Sequence, residues 1–108
     1  MLIFGIGASF SNETIFICKN NDGTEKEFEL KINLNKKLLY RAGAPYNIVE
    51  QLENELIAKS SNKIGTVSYE TTLTFNRLSG NLKYQSYKMD GSKVEKDNVN
   101  YFCKKRLI

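Results

Sequence analysis

The chain of 108 residues contains no histidine and no tryptophan, and it has only one proline and two cysteines. Histidine is the commonest general base near neutral pH and the commonest metal ligand, so its absence leaves few routes to catalysis. Two distant cysteines also lack the Cys-x-x-Cys spacing of a zinc site or a thioredoxin-type redox motif. We therefore predict a protein that is not an enzyme, with no catalytic residues, no cofactor and no metal site.

The sequence also lacks a hydrophobic run long enough to cross a membrane, which takes about 20 residues. Its most apolar stretch is the first eleven residues, MLIFGIGASFS, which are followed by the polar Asn12. Ser9 and Ser11 supply the small side chains that precede a signal-peptide cleavage site. Residues 1–11 thus resemble the tail of a signal peptide, with residues 12–108 as a single domain. The alternative is that residues 2–8 form a first β-strand.

The two cysteines, Cys18 and Cys103, lie inside strand-like runs near the two ends of the predicted domain. Terminal strands are often neighbours, so we predict a disulfide between them. Closing a loop of about 85 residues stabilises a fold by up to about 4.6 kcal/mol in chain-entropy theory. Disulfides persist in oxidising compartments, which together with the apolar start predicts a periplasmic or secreted protein. Two unpaired, buried cysteines in a cytosolic protein remain the alternative.

The net charge of +4 arises from 16 basic and 12 acidic residues spread along the chain. The only basic run is residues 104–106, Lys-Lys-Arg. Binding to nucleic acid or an anionic membrane needs a focused basic patch, so the charge favours a solvated surface.

Alternating hydrophobicity indicates strands. Residues 13–19 are rich in β-branched and aromatic side chains, and the Asn-Asn-Asp-Gly sequence at residues 20–23 then predicts a turn. In residues 26–34 the apolar side chains occupy every second position, which predicts a half-buried strand; they are Phe28, Leu30, Ile32 and Leu34.

Residues 46–60 fit two structures. Ile48, Val49, Leu52, Leu56 and Ile57 are spaced as on one face of a helix. Residues 46–50 and 55–59 also fit two short strands around a turn at Glu53 and Asn54, and such strands would continue the strand pattern on either side. We favour the strands. A short helix around residues 47–58 is the alternative.

Further strands are predicted at residues 38–41, 63–76, 82–87 and 98–106, with a turn at residues 77–81 and a mobile loop at residues 93–98. The fold class is therefore all-β and mainly antiparallel. Seven to eight strands in a meander should close into a small barrel or a two-sheet sandwich.

Residues with catalytic or ligand-binding side chains lack the context that such chemistry needs. We interpret the carboxylates of Glu25, Glu27 and Glu29 as the solvated face of one strand, and residues 20–23 lack the 12-residue loop of a calcium site. No serine has an activating base; the serines considered are Ser9, Ser11, Ser79 and Ser86. Gly5 and Gly7 belong to no complete phosphate-binding loop. Asn12 begins a short glycosylation sequon, which matters only in a eukaryotic secretory route.

Six tyrosines with Lys83 and Lys88 could form an aromatic and basic platform for single-stranded nucleic acid. The tyrosines are Tyr40, Tyr46, Tyr69, Tyr84, Tyr87 and Tyr101. Tyrosine and lysine are also ordinary residues of strand surfaces, so nucleic-acid binding stays a minor alternative.

Three segments in order resemble a group of small exported proteins of Gram-negative bacteria with no known function. They are the Ile-Phe-Ile-Cys of residues 15–18 with its Asp-Gly turn, the Arg-x-Ser-Gly-x-Leu of residues 77–82, and the Tyr-x-Cys-Lys of residues 101–104. The resemblance covers most of residues 13–108 and implies a periplasmic or secreted β-domain.

Cys18, the Asp22-Gly23 turn and Cys103 are also similar in outline to the C-type lysozyme inhibitors, which are small β-barrels. The inhibitory Ser-x-x-Gly-x-x-Tyr motif of that family has no counterpart here, so no functional residue is carried over. We therefore predict a non-enzymatic binding or envelope-associated module, with an envelope protein or a glycan as the expected partner. The alternatives are a lysozyme inhibitor, an enzyme without histidine and a nucleic-acid-binding barrel.

Overall fold

The computed structural model describes residues 13–106, and it is all-β. Eight antiparallel strands follow one another along the chain, as the alternating pattern predicted. They are β1 (Glu13–Asn20), β2 (Phe28–Asn33), β3 (Leu38–Arg41), β4 (Ala44–Gln51), β5 (Glu55–Ile64), β6 (Val67–Asn76), β7 (Asn81–Asp90) and β8 (Lys93–Lys105). The predictions for residues 1–11, a signal segment or a first strand, fall outside the described residues.

The strands form a closed barrel, in which each strand pairs with the next and β8 pairs with β1. Of the two architectures predicted, barrel and sandwich, the barrel is correct. Cys18 on β1 lies directly opposite Cys103 on β8, and the two form a disulfide. The bridge therefore staples the seam at which the first and last strands close the barrel.

The core consists of the inward side chains of the strands. In β2 they are Leu30 and Ile32, with Phe28 and Leu34 packed at the margins, which confirms the predicted face. The fully buried large side chains include Leu39, Leu73 and Phe75. Alternation explains this arrangement, because successive side chains of a strand point to opposite faces of the sheet.

Residues 46–60 are strands, not a helix. β4 and β5 pair around a turn at residues 52–54, and the register shifts between Ile48 and Glu50, so that Val49 bulges out and is 57% exposed. A helix here would leave the backbone groups of β3 and β6 unpaired on the facing edges. Pairing with these neighbouring strands therefore overrides the local helical spacing.

Two predicted elements are wrong. The single strand predicted at residues 63–76 is interrupted by a turn at Gly65, whose φ of 63° suits glycine. The loop predicted at residues 93–98 is the first half of β8, paired with β7 from Asp90↔Lys93 onward. Both faces of this half-strand are solvated, so backbone pairing forms it without the alternation that signals a strand.

β5 to β8 continue past the barrel as an open four-stranded sheet, here called the extended sheet, formed by residues 60–64, 67–71, 86–90 and 93–97. These residues pair only with one another, and none of them is buried. The molecule measures 58 × 30 × 23 Å. We call the end of the barrel from which this sheet projects the sheet end, and the opposite end, where β1 begins and β8 ends, the terminal end.

Candidate ligand-binding site

A concave pocket of about 520 Å³ opens at the terminal end of the barrel. Small-molecule sites usually have about 300–1,000 Å³. Side chains and backbone of four chain segments line it: Thr14, Phe16, Ile32, Leu34, Arg77, Leu78, Ser79, Gly80, Phe102, Cys103, Lys104 and Lys105. The pocket combines apolar and charged lining in one concavity, so we take it as the candidate site.

The floor of the pocket is the end of the barrel core. Phe16 on β1 and Ile32 on β2 are buried, and Leu34 packs against the core just beyond β2. The ring of Phe16 meets that of Phe75 edge to face, with centroids 4.8 Å apart. These inward residues of β1 and β2 therefore give the pocket an apolar and well-packed base.

One wall is the turn between β6 and β7, residues 77–80. The Asn76 side-chain oxygen accepts hydrogen bonds from the N–H groups of Leu78 and Ser79, both at 2.9 Å. The Arg77 guanidinium donates to the carbonyl oxygen of Glu53 at 3.0 Å, which ties this turn to the one between β4 and β5. The turn is thus held in one shape, with Leu78 displayed at the rim and 80% exposed.

The other wall is residues 102–105 of β8. The N–H of Cys103 donates to the carbonyl oxygen of Gly80 at 2.8 Å. Gly80 has a φ of 84°, and a Cβ there would collide with the carbonyl oxygen of Cys103. Because only glycine allows this close approach, the turn lies directly against β8. Residues 77–82 and 101–104, two of the three segments that resemble the exported proteins, thus meet in the walls of one pocket.

The lining is positively charged. Among residues 13–106, Arg77, Lys104 and Lys105 are its charged members, and no Asp or Glu of that range lines the pocket. The ion pairs among residues 13–106 are Lys88 with Glu95 and Arg106 with Glu29, so none of the three lining cations belongs to one. The acceptors of Arg77 are neutral carbonyl groups, which leave its charge uncompensated.

A second polar cluster lies inside the sheet end, around Arg41. Its guanidinium carbon lies 4.7 Å from the ring centre of Phe28, 4.8 Å from that of Tyr84 and 5.5 Å from that of Tyr101. Its Nη2 donates to the Tyr101 hydroxyl at 3.0 Å, and this hydroxyl donates to Glu25 at 3.4 Å. The buried Nε has no hydrogen-bond partner among the described atoms. The cluster closes the sheet end of the core with one cation among aromatic rings.

Burial raises the pKa of both tyrosines that face this cation. For Tyr46, desolvation outweighs the opposing effect of Arg41. For Tyr101, desolvation outweighs the hydrogen bond and the charge of Arg41, while Glu25 adds to the increase. Both phenols therefore stay protonated at neutral pH, as hydrogen-bond donors and not as bases.

The six tyrosines do not form the single aromatic platform that was considered for binding single-stranded nucleic acid. Tyr46, Tyr84 and Tyr101 point into the barrel, whereas Tyr40 contacts Lys31 and Tyr87 contacts Lys96 on the outside. Tyr69 lies on the extended sheet, opposite Lys88. The aromatic side chains are thus divided between two faces of the sheet.

The three glutamates do not share a strand face, and that prediction is wrong. β2 begins at Phe28, so Glu25 and Glu27 precede it, and only Glu29 lies on the strand, where it pairs with Arg106. The loop before β2 is closed by the Asn20 side chain, which donates a hydrogen bond to the Thr24 hydroxyl and accepts one from the N–H of Glu25. Residues 20–23 form the predicted turn. Between residues 13 and 106, no three His, Cys, Asp or Glu side chains are grouped to hold a metal ion.

Four serines were considered as nucleophiles. Ser79 lies in the pocket wall and Ser86 on the extended sheet, whereas Ser9 and Ser11 fall outside the described residues. The pocket itself was not predicted, although two of its parts were noticed as the basic run and the Arg-x-Ser-Gly-x-Leu turn. A signal was present, because pairing Cys18 with Cys103 in antiparallel register places Phe16 opposite Lys105. An apolar floor beside a basic rim follows from that pairing.

Comparison of the chain with protein-family models, with curated proteins and with solved structures finds no match. The resemblances drawn from the sequence therefore stay predictions, and the geometry of the described residues carries the functional argument.

Proposed function

We propose that this protein is an exported, non-enzymatic binding module that holds a small ligand in the pocket at the terminal end of its barrel. The observation that carries the proposal is the pocket itself, which has a buried apolar floor, two walls fixed by hydrogen bonds and a cationic lining. Ligand sites in small barrels occur in the barrel mouth, where apolar side chains combine with a few polar groups.

The disulfide supports an oxidising compartment, periplasmic or extracellular. Cys18 and Cys103 are paired and buried at the barrel seam, and structural disulfides of this kind persist where thiols are not kept reduced. No helix among the described residues is long and apolar enough to span a membrane.

The residue types of the pocket support binding without catalysis. The lining formed by the described residues contains no histidine and no carboxylate side chain, and its one cysteine is bonded in the disulfide. Its titratable groups are therefore lysine and arginine, which bind anions as cations and do not form an acid–base pair.

Filling the pocket tests the proposal. Leu34→Trp adds bulk at the pocket, and Ile64→Trp adds similar bulk at an exposed position of the extended sheet, away from the lining. With anilinonaphthalene sulfonate as the probe, we expect saturable NMR shift changes at the lining residues. We expect Leu34→Trp to weaken binding at least tenfold and Ile64→Trp to leave it unchanged. Absence of saturable binding, or shift changes confined to other surfaces, would contradict the proposal.

A second candidate is inhibition of C-type lysozyme. The closed barrel, with a disulfide between its first and last strands, has the outline that the sequence resemblance implied. Lysozyme assayed with a large molar excess of the oxidised protein decides this candidate. Unchanged activity removes it, whereas stoichiometric inhibition that survives Leu34→Trp places the inhibitory surface away from the pocket.

A further inference from the structure

The pocket has two chemically different parts, and together they restrict its ligand. The deep part is apolar, formed by Phe16, Ile32 and Leu34 with the disulfide beside them. The outer part carries Arg77 on one wall and, on the other, Lys105, which lies opposite the inward-facing Phe16. A ligand that fills both parts needs an apolar body and a negatively charged end.

The cations are arranged so that they favour an anion and reject a cation. None of the carboxylate side chains in the described part of the chain lines the pocket. Arg77 also has a structural role, because its guanidinium donates hydrogen bonds to the carbonyl oxygens of Leu52 and Glu53. These bonds fix the guanidinium at the wall without neutralising it. A positively charged ligand would bind unfavourably in this pocket, because like charges repel more strongly where water is partly excluded.

The shape of the pocket favours a ligand that inserts into the barrel and disfavours a flat partner surface that lies across the opening. Phe16 and Ile32, which form the floor, are almost completely buried, so a flat partner would not reach them. Of the described lining residues, Leu78 and Phe102 are the two large apolar side chains exposed at the rim, Phe102 by 39%. An inserted chain reaches the floor, and the rim then surrounds its head group.

We propose that the pocket binds a free single-chain amphiphile, with its apolar tail on the floor and a carboxylate, sulfonate or phosphate group between Arg77 and Lys105. This inference rests on the proposed function and specifies the ligand class of the same site.

Four octyl compounds below their micellar concentrations separate the contributions of tail and charge: octanoate, octyl phosphate, octanol and octylammonium. Binding to the oxidised full-length chain is measured by NMR titration and calorimetry. We expect both anions to bind saturably with shift changes at the lining residues, and octylammonium to bind at least tenfold more weakly. The affinity for the anions should fall as ionic strength rises, because salt screens exposed charges.

The variant Lys105→Gln tests the rim. We expect it to weaken octanoate severalfold and to leave octanol unchanged. The matched control is Lys63→Gln, which removes the same charge from the extended sheet and should alter neither affinity. Arg77 is left intact because its side chain holds two turns together.

Each other outcome has a defined meaning. Equal binding of octylammonium and octanoate would overturn the charge inference while preserving the pocket as a binding site. If no octyl compound and no anilinonaphthalene sulfonate binds, the proposed function itself fails. If anionic phospholipid vesicles bind the protein but no free octyl anion does, the free amphiphile is overturned in favour of a lipid surface.

Discussion

The backbone N–H of Cys103 donates a 2.8 Å hydrogen bond to the carbonyl oxygen of Gly80, which places the β6–β7 turn against the last strand. Cys103 is also bonded to Cys18. One residue therefore connects the turn, the seam of the barrel and β1, and the walls of the pocket depend on it.

Gly80→Ala should be strongly destabilising. The new Cβ collides with the carbonyl oxygen of Cys103, and the φ of 84° is unfavourable for any residue with a Cβ. Left-handed backbone alone costs about 1–2 kcal/mol, and the collision adds to it, so we expect a loss above about 2 kcal/mol. Urea unfolding measures the change.

Gly91→Ala is the control for this prediction. Gly91 has a φ of 64°, but no atom lies within 4 Å of the position of its Cβ. It should therefore lose only the backbone contribution, about 1–2 kcal/mol. Equal losses at the two glycines would show that the contact with Cys103 is unimportant.

Reducing the disulfide should lower the free energy of unfolding by about 3–5 kcal/mol, because the bridge removes loop-closure entropy from the unfolded chain. The bond joins residues 85 positions apart in the sequence. Urea unfolding with and without reductant gives the difference without changing side-chain volume. A loss below about 1 kcal/mol would mean that pairing of β1 with β8 already closes the barrel.

Local signals in the sequence were sufficient for most of the strands. The alternation of Leu30 with Ile32 predicted the buried face of β2, and the Asn-Asn-Asp-Gly sequence predicted the turn after β1. Both depend on neighbours in the chain, through side-chain direction and turn conformation. The strands favoured at residues 46–60 are confirmed. The helical spacing around Leu52 kept a helix open as the alternative, because local spacing does not show the pairing of β4 with β3 and of β5 with β6.

The pocket was not predictable from local sequence patterns, because segments that are distant in the chain form its walls. The Cys18–Cys103 pair was predictable, and with it the position of Phe16 opposite Lys105. The approach of Gly80 to Cys103 was not, because it depends on the register of β7 with β8, in which Asn81 lies opposite Phe102. The strand at residues 93–98 was missed for a related reason, since a strand with two solvated faces has no hydrophobic period.

Stability should fall at alkaline pH. The pKa of Tyr46 is raised above the unfolded value of 10.0 by burial, and that of Tyr101 is raised for the same first reason. A raised pKa in the folded state stabilises the fold below pH 10.0, and this contribution disappears as the pH rises through the folded pKa. Each phenol contributes a slope of at most about 1.4 kcal/mol per pH unit.

Tyr46→Phe isolates this effect, because it removes the ionisable group and keeps the ring. The decline in unfolding free energy above pH 10.0 should become less steep. Tyr87→Phe is the control, since Tyr87 lies on the outer face beside Lys96. Equal slopes for wild type and Tyr46→Phe would assign the alkaline loss to other groups.

The extended sheet should be the least stable part of the described structure. Residues 60–64 and 93–97 form its two edges, where each strand has a single neighbour and no side chain is buried. Open edges and solvated faces leave only backbone pairing to resist local opening. We therefore expect the amides of the extended sheet to exchange with solvent much faster than those of the same strands inside the barrel.

Trimming the sheet tests whether the barrel depends on it. Ser60 lies opposite Thr71, and Ser86 lies opposite Asp97, so Asn-Gly can replace residues 61–70 and residues 87–96 as two-residue hairpin turns. The core residues all lie outside these segments, and the trimmed chain should keep the barrel, the disulfide and binding in the pocket. A trimmed chain that folds with its disulfide but no longer binds octanoate would place part of the ligand site on the extended sheet. Loss of the fold would instead mean that the solvated strands are needed to set the register of β5 to β8.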